Sequence, residues 1–312
     1  MQFPHLPVMA AEVLQFLVAR TDGVFVDCTL GAGGHAYQIL NNAPAGRLLG
    51  IDADRSAIEV AEKALRPFAE RIELVHGNFV DLDSIMAAKG FAKADGVLFD
   101  LGFSSLQLDD ARRGFSFTHE GPIDMRLDPE EGRSARDVIA AANERELARI
   151  ITEYGEERRA HPIARAIIEA RDRGELETTK DLAAAVLSTK PQRRTKTLAR
   201  VFQALRICVN HELSNLARGL ALAVDLLAPG GRIAVISYHS LEDRLAKRYF
   251  RDCVHPCTCP PRLPECVCGL RPTLKLITRK VVTPHPAEVA RNPRARSAKL
   301  RVAERLTTEG GS

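Results

Sequence analysis

Residues 24–35 read VFVDCTLGAGGH: an apolar run over Val24, Phe25 and Val26, an acid at Asp27, then a loop holding Gly31, Gly33 and Gly34. A helix-forming stretch, HAYQILNNA, follows at once. A short β-branched and aromatic run that ends in a glycine turn and opens a helix is the first half of a βαβ unit. RLLGID at 47–52 supplies the next strand, with a helix over about 56–65, and IELV at 72–75 and DGVLFD at 95–100 supply the third and fourth. Strands alternating with helices predict a parallel sheet covered on both faces, with every strand ending on one edge. Open sheets of this kind bind their ligands at that edge.

The rhythm stops after Gly102. Residues 107–197 are charge-rich, without a convincing strand, and show apolar spacings of three and four over 137–154 and 163–173. One long helix is expected over 201–228, stopped by Pro229-Gly230-Gly231 and followed by a strand, RIAVIS, at 232–237. Closing strands are expected at 274–282 and 298–306. The chain therefore reads as one α/β domain in two parts, 1–106 and 198–312, interrupted by a helical insert at 107–197.

A chain of 312 residues with 45% hydrophobic and 27% charged residues has ample material for a core and is not a disordered or disulfide-framed chain. No apolar run is long enough to span a bilayer. The start, MQFPHLPVMAAEVL, has no basic region, and Glu12 breaks its hydrophobicity, so a cytosolic protein is expected. The net charge of +4 hides an asymmetry: residues 244–312 hold 15 Lys and Arg against 5 Asp and Glu, leaving the rest mildly acidic. A basic C-terminal segment points to a polyanion partner or to a solvated tail. A second cluster, Lys190-Pro-Gln-Arg-Arg-Thr-Lys196, carries four positive charges and no acid. Such clusters bind phosphates without reading sequence, which favours RNA contact.

The glycine loop admits two cofactors. Gly31-x-Gly33-x-x-Ala36 fits a dinucleotide fingerprint, with a pyrophosphate on the helix N-terminus. Asp52 ends the second strand, where an acid binds the ribose hydroxyls of either NAD or S-adenosylmethionine. Asp27 just before the glycines, and Leu227-Ala-Pro229-Gly230-Gly231 before the fifth strand, look like the class I methyltransferase pattern. An NAD-dependent oxidoreductase is the weaker alternative.

Asp100-Leu-Gly-Phe-Ser-Ser-Leu-Gln107-Leu-Asp109 leaves the fourth strand at the same edge. With it come His5-x-Pro7-Val8, Arg113-Gly-Phe-Ser-Phe117 and Gly121-Pro-x-Asp124-Met-Arg126. Tyr154-Gly-Glu-Glu-Arg158, Phe202-Gln-Ala-x-Arg206, His239-Ser-Leu-Glu-Asp243 and Asn292-Pro-Arg-Ala-Arg-Ser297 follow in order. Along nearly its whole length the chain resembles the ribosomal small-subunit methyltransferase H family, also called MraW. The resemblance implies an α/β, class I (Rossmann-like) S-adenosylmethionine-dependent methyltransferase sheet with an inserted helical domain. It implies methyl transfer to the exocyclic N4 of a cytidine in the decoding centre of 16S rRNA, with the 30S subunit as partner. By position, Gly33, Gly34 and His35 would hold the methionine end of the cofactor, Asp52 the ribose and Phe79 the adenine; Asp100 and Gln107 complete the set. A small-subunit assembly factor that has lost catalysis is the non-enzyme alternative.

The chemistry makes its own demand. A cytosine N4 lone pair is delocalised into the ring, so attack on a sulfonium methyl needs in-line placement and an acceptor for an amino proton. Asp100 suits that role, with a purely cofactor-binding role as the alternative. Amino methyltransferases usually carry Asp/Asn-Pro-Pro-aromatic here, whereas this chain has Asp-Leu-Gly-Phe, which leaves base stacking by Phe103 open. Tyr238 or His239 can line a base pocket, or belong to a packed turn capped by Ser240.

Seven cysteines are present, five of them crowded into the loop 253–268. Cys257, Cys259, Cys266 and Cys268, among prolines, suit one tetrahedral structural Zn²⁺; reduced, metal-free thiols are the other reading.

Overall fold

The computed structural model describes residues 7–260 and 267–307; His5 and Cys266 lie outside the described residues. The chain forms two compact units, Met1–Gly102 with Asn215–Ser312, and Phe103–Ser214.

In chain order the first unit opens with α1 (Ala10–Leu17), β1 (Val24–Asp27), α2 (Gly34–Asn42), β2 (Arg47–Asp52) and α3 (Arg55–Ala64). β3 (Ile72–His76), α4 (Leu82–Ala88) and β4 (Ala94–Asp100) complete its first half. The second unit contains α5 (Ser105–Asp109), α6 (Ala135–Ala141), α7 (Glu144–Gly155), α8 (Ala160–Asp172), α9 (Thr179–Ser188) and α10 (Arg194–Val209). α11 (Glu212–Leu226), β5 (Leu227–Ser237), α12 (Ser240–Val254), β6 (Leu274–Leu276), α13 (Pro286–Arg291) and β7 (Lys299–Arg305) follow.

Among the described residues the sheet has seven strands in the order β3-β2-β1-β4-β5-β7-β6. β1 to β5 run parallel, β7 is antiparallel to β5, and β6 is antiparallel to β7. The order reverses at β1 and β4, the topological switch point at which open parallel sheets bind ligands. Side chains alternate between two cores. Phe25, Leu48, Leu98, Ala234 and Ile236 pack with Val13, Ile39, Leu40 and Ile58 of α1, α2 and α3. Val26, Leu49, Val97, Phe99, Ile233 and Val235 pack with Met86, Leu216, Leu220 and Phe250 of α4, α11 and α12. A sheet apolar on both faces needs this double cover.

The second unit is helical around its own core of Ile123, Ile139, Leu147, Ile151, Ile163, Leu182, Val201, Phe202 and Leu205. It begins at Phe103 and runs to Ser214, a wider span than 107–197, because α10 contributes Leu198, Val201, Phe202 and Leu205 to that core.

Three elements differ from the sequence expectation. The long helix of 201–228 is two helices: the Asn210 side chain accepts from Leu127 N and donates to Met125 O and Arg206 O, and His211 takes φ 52°. Pro229-Gly230-Gly231 does not stop that helix; it forms an irregularity inside β5, where the register against β4 shifts between Ala94 and Gly96. The strand expected over 274–282 spans only Leu274–Leu276, with a single further bridge from Val282 to Leu300. No helix among the described residues is long and apolar enough to cross a membrane.

Candidate active site

Three strand ends place three carboxylates at one edge of the first unit. Asp27 closes β1, Asp52 closes β2 and Asp100 closes β4. The glycine loop is tied to them through its backbone. Gly31 N–H donates to Asp52 Oδ2 at 2.7 Å, Asp54 N–H donates to Asp52 Oδ1 at 2.8 Å, and Thr29 N–H donates to Asp27 Oδ1 at 3.2 Å. The Thr29 hydroxyl accepts from Asp100 N–H at 2.6 Å, which fixes the end of β4 to the loop. Gly33 caps α2 with φ 82°, and a Cβ there would meet Leu65 Cδ1 at 2.8 Å. Only glycine meets both conditions.

The electrostatics follow from crowding acids in a dry place. Burial pushes the Asp27 carboxyl up to about 7; His35 and the Thr29 N–H oppose this, while Asp100 and Asp52 add to it. Burial likewise raises Asp52 to about 6, against its two backbone hydrogen bonds. His35, buried in the first turn of α2, has its Nε2 3.5 Å from Asp100 Oδ2 with no aligned hydrogen bond. Burial alone would lower its pKa, but Asp100, Asp27 and Glu288 together hold it above the ordinary value.

Asp100 has a second partner that the sequence left open. The Tyr238 hydroxyl donates to Asp100 Oδ1 at 2.8 Å. Burial and the neighbouring carboxylate hold the Tyr238 pKa well above its ordinary value, so the hydroxyl remains a donor at neutral pH. Tyr238 is itself fixed by the next turn: Tyr238 N–H and His239 N–H both donate to Glu242 Oε2. The cap of α12 is His239, whose ring accepts from Glu242 N–H, and not Ser240. The spacing His239-x-x-Glu242 is a capping box with an imidazole in place of the usual hydroxyl, which is why its signal was missed.

The remaining expected site residues fall as follows. Phe79 leaves β3 and packs edge-on against Phe99, 5.3 Å between centroids, beneath Gly219, where a Cβ would meet the ring at 2.6 Å. Gln107 is buried in the second unit, its carbonyl accepting from Ser104 N–H in a capping box over α5. Phe103 stacks on Phe115 at 5.5 Å and carries the Arg206 guanidinium at 4.8 Å. Cys257, Cys259 and Cys268 come together, their sulfurs within 4.8 Å of one another.

Two motifs are in part internal structure. The Tyr154–Arg158 turn docks on α10: Gln203 donates to Tyr154 O, and Glu157, 7% exposed, pairs with Arg200 at 3.3 Å. In the C-terminal basic segment, Lys299 and Arg301 are both held by Asp243 at 3.2 and 2.7 Å, whereas Arg291, Arg294 and Arg296 are exposed. Arg158, Arg159, Lys190, Arg193, Arg194 and Lys196 are exposed on the second unit. Arg159 donates to the carbonyls of Thr189 and Lys190, which joins them into one surface.

A ligand suited to this edge brings positive charge and hydroxyl donors to three carboxylates. A dinucleotide pyrophosphate would set its own negative charge against Asp27, Asp52 and Asp100. The chain is 49% identical over 310 residues to a protein of Carboxydothermus hydrogenoformans named ribosomal RNA small subunit methyltransferase H, covering 98% of this chain and 99% of that one. The namesake of Syntrophotalea carbinolica is 51% identical over 309 residues, covering 97% and 98%. That of Geotalea uraniireducens is 49% identical over 309 residues, covering 97% and 99%. The family model described as the MraW methylase family matches residues 2–306, and the chain belongs to that family.

Proposed function

We propose that this chain is an S-adenosylmethionine-dependent 16S rRNA (cytosine-N4)-methyltransferase acting on the 30S subunit. The reading rests on the convergence of Asp27, Asp52 and Asp100 on the glycine loop, with Asp100 fixed by the Tyr238 hydroxyl. The residues fit the cofactor: the carboxylates complement a sulfonium and an ammonium, and the loop from Gly31 to Gly34 presents backbone rather than side chains. Gly33, Gly34 and His35 would take its methionine end, Asp52 its ribose and Phe79 its adenine, with Asp100 beside them.

The cofactor supplies an electrophilic methyl group. The chain supplies placement and a base. Asp100, at the end of β4, accepts a hydrogen bond from the N4 amino group and takes one of its protons as the lone pair is committed to the new bond. Tyr238 holds that carboxylate in one rotamer, which restricts N4 to one approach. The exposed cations around Arg193 and Arg194 hold rRNA phosphates.

The test is to incubate the protein with methyl-labelled S-adenosylmethionine and 30S subunits lacking the modification, then map the label in 16S rRNA. Label on N4 of one decoding-centre cytidine is the expected result. Label on another atom would overturn the substrate, and absence of transfer with the cofactor bound would point to an earlier assembly intermediate as the substrate or to the non-catalytic assembly factor.

A further inference from the structure

The loop between α12 and β6 poses a problem of cohesion. None of its described residues, 255–260 and 267–273, is buried, and Val267 and Leu270 are 78% and 50% exposed. Among the described residues, backbone bonds hold its two ends: His255 N–H donates to Arg251 O at one, and Thr273 N–H donates to Cys253 O and Leu306 N–H to Thr273 O at the other. A segment without a core is not expected to hold a shape unless a disulfide or a metal closes it. Yet Cys257 and Cys259 on the outgoing limb meet Cys268 on the returning one, with all three sulfurs within 4.8 Å of one another.

We propose that Cys257, Cys259 and Cys268 bind one Zn²⁺ ion, which clips the two limbs of this loop together. The number of sulfurs favours a metal: a disulfide uses two, whereas one cation can take all three. The distances agree, because four ligands at a Zn–S length of about 2.3 Å place sulfurs roughly 3.8 Å apart. The donor type selects the ion, since thiolates favour soft or borderline metals such as zinc over Mg²⁺ or Ca²⁺. The role is structural. The clip closes the loop at the C-terminal end of α12, the helix whose N-terminal turn fixes Tyr238. The proposal stands independently of the methyl-transfer reading.

Metal content tests it directly in the full-length protein purified under reducing conditions. One zinc per chain by native and elemental mass spectrometry is expected, retained in Cys208→Ser and lost in Cys257→Ser, Cys259→Ser and Cys268→Ser. Should a variant fail to fold, the parent protein gives the same answer. Stripped with a chelator and reloaded with Co²⁺, it should show thiolate-to-cobalt charge-transfer absorption, and proteolysis within 255–273 should accelerate in the stripped form. A metal-free protein with three freely alkylated thiols would overturn the site. So would a mass two hydrogens short, the mark of a disulfide, or zinc that survives all three substitutions.

Discussion

The Tyr238 hydroxyl donates to Asp100 Oδ1 at 2.8 Å, joining the end of β4 to the turn after β5 across neighbouring parallel strands. Two strand ends thus aim one carboxylate, and a donor that stays protonated keeps it aimed. Tyr238→Phe keeps the ring and removes this bond alone. A hydrogen bond to a charged acceptor contributes about 1.5–3 kcal/mol, so single-turnover methyl transfer should fall roughly 10- to 100-fold. Because the same bond also holds the folded turn, the melting temperature should fall by a few degrees, and rates are compared well below it. An unaltered rate would show that Asp100 is positioned without the tyrosine.

The acidic edge predicts a pH dependence. Asp27 and Asp52 sit at about 7 and about 6, above the ordinary 3.8. Their folded values exceed the unfolded ones, so stability present below about pH 4 is lost as pH rises through 6 and 7. Asp27→Asn cannot ionise, and its melting temperature relative to the parent should climb between pH 5 and pH 8. A gain of a few degrees is expected, since about 1 kcal/mol shifts domains of roughly this size by about 2–4 °C. A cationic cofactor favours the ionised carboxyl, so S-adenosylmethionine affinity, followed by calorimetry, should rise from pH 6 to pH 8. That slope should flatten in the variant.

Gly33→Ala sets a side chain at φ 82° and against Leu65. The left-handed conformation alone costs about 1–2 kcal/mol. A lower melting temperature together with weakened cofactor binding is the outcome to check. Loss of stability without loss of binding would separate the loop from the cofactor.

The second unit's cations predict a salt effect. Replacing Arg193, Arg194 and Lys196 with alanine should raise the KM for 30S subunits and leave cofactor binding unchanged. The slope of log affinity against log salt should become shallower by about 2, at roughly 0.7–0.9 for each lost phosphate contact. An unchanged slope would move the RNA to another surface.

Much of this was legible because it is periodic or local. The run from Val24 to His35 gives the strand, the turn and the helix by residue type alone, and the alternation of Phe25 and Val26 already marks a strand buried on both faces. The breaks were less legible. The split between α6 and α7 depends on Asn143 exchanging hydrogen bonds with Glu146, a capping box hidden inside an unbroken apolar period. The split at Asn210 depends on Met125 and Leu127, more than eighty residues away. Charge runs conceal pairing for the same reason: Lys299 and Arg301 are held by Asp243, more than fifty residues away. The pairing of Tyr238 with Asp100 joins residues 138 positions apart, and no local pattern announces it.

The most direct measurement is single-turnover methyl transfer by Asp100→Asn under saturating S-adenosylmethionine, with cofactor affinity determined on the same sample. Asparagine keeps an accepting oxygen but cannot take a proton. The account predicts weakened cofactor binding, which saturation overcomes, and a fall in transfer of at least about 100-fold, the lower range for loss of a general base. Transfer at the parental rate would contradict it and leave Asp100 without a part in the chemistry.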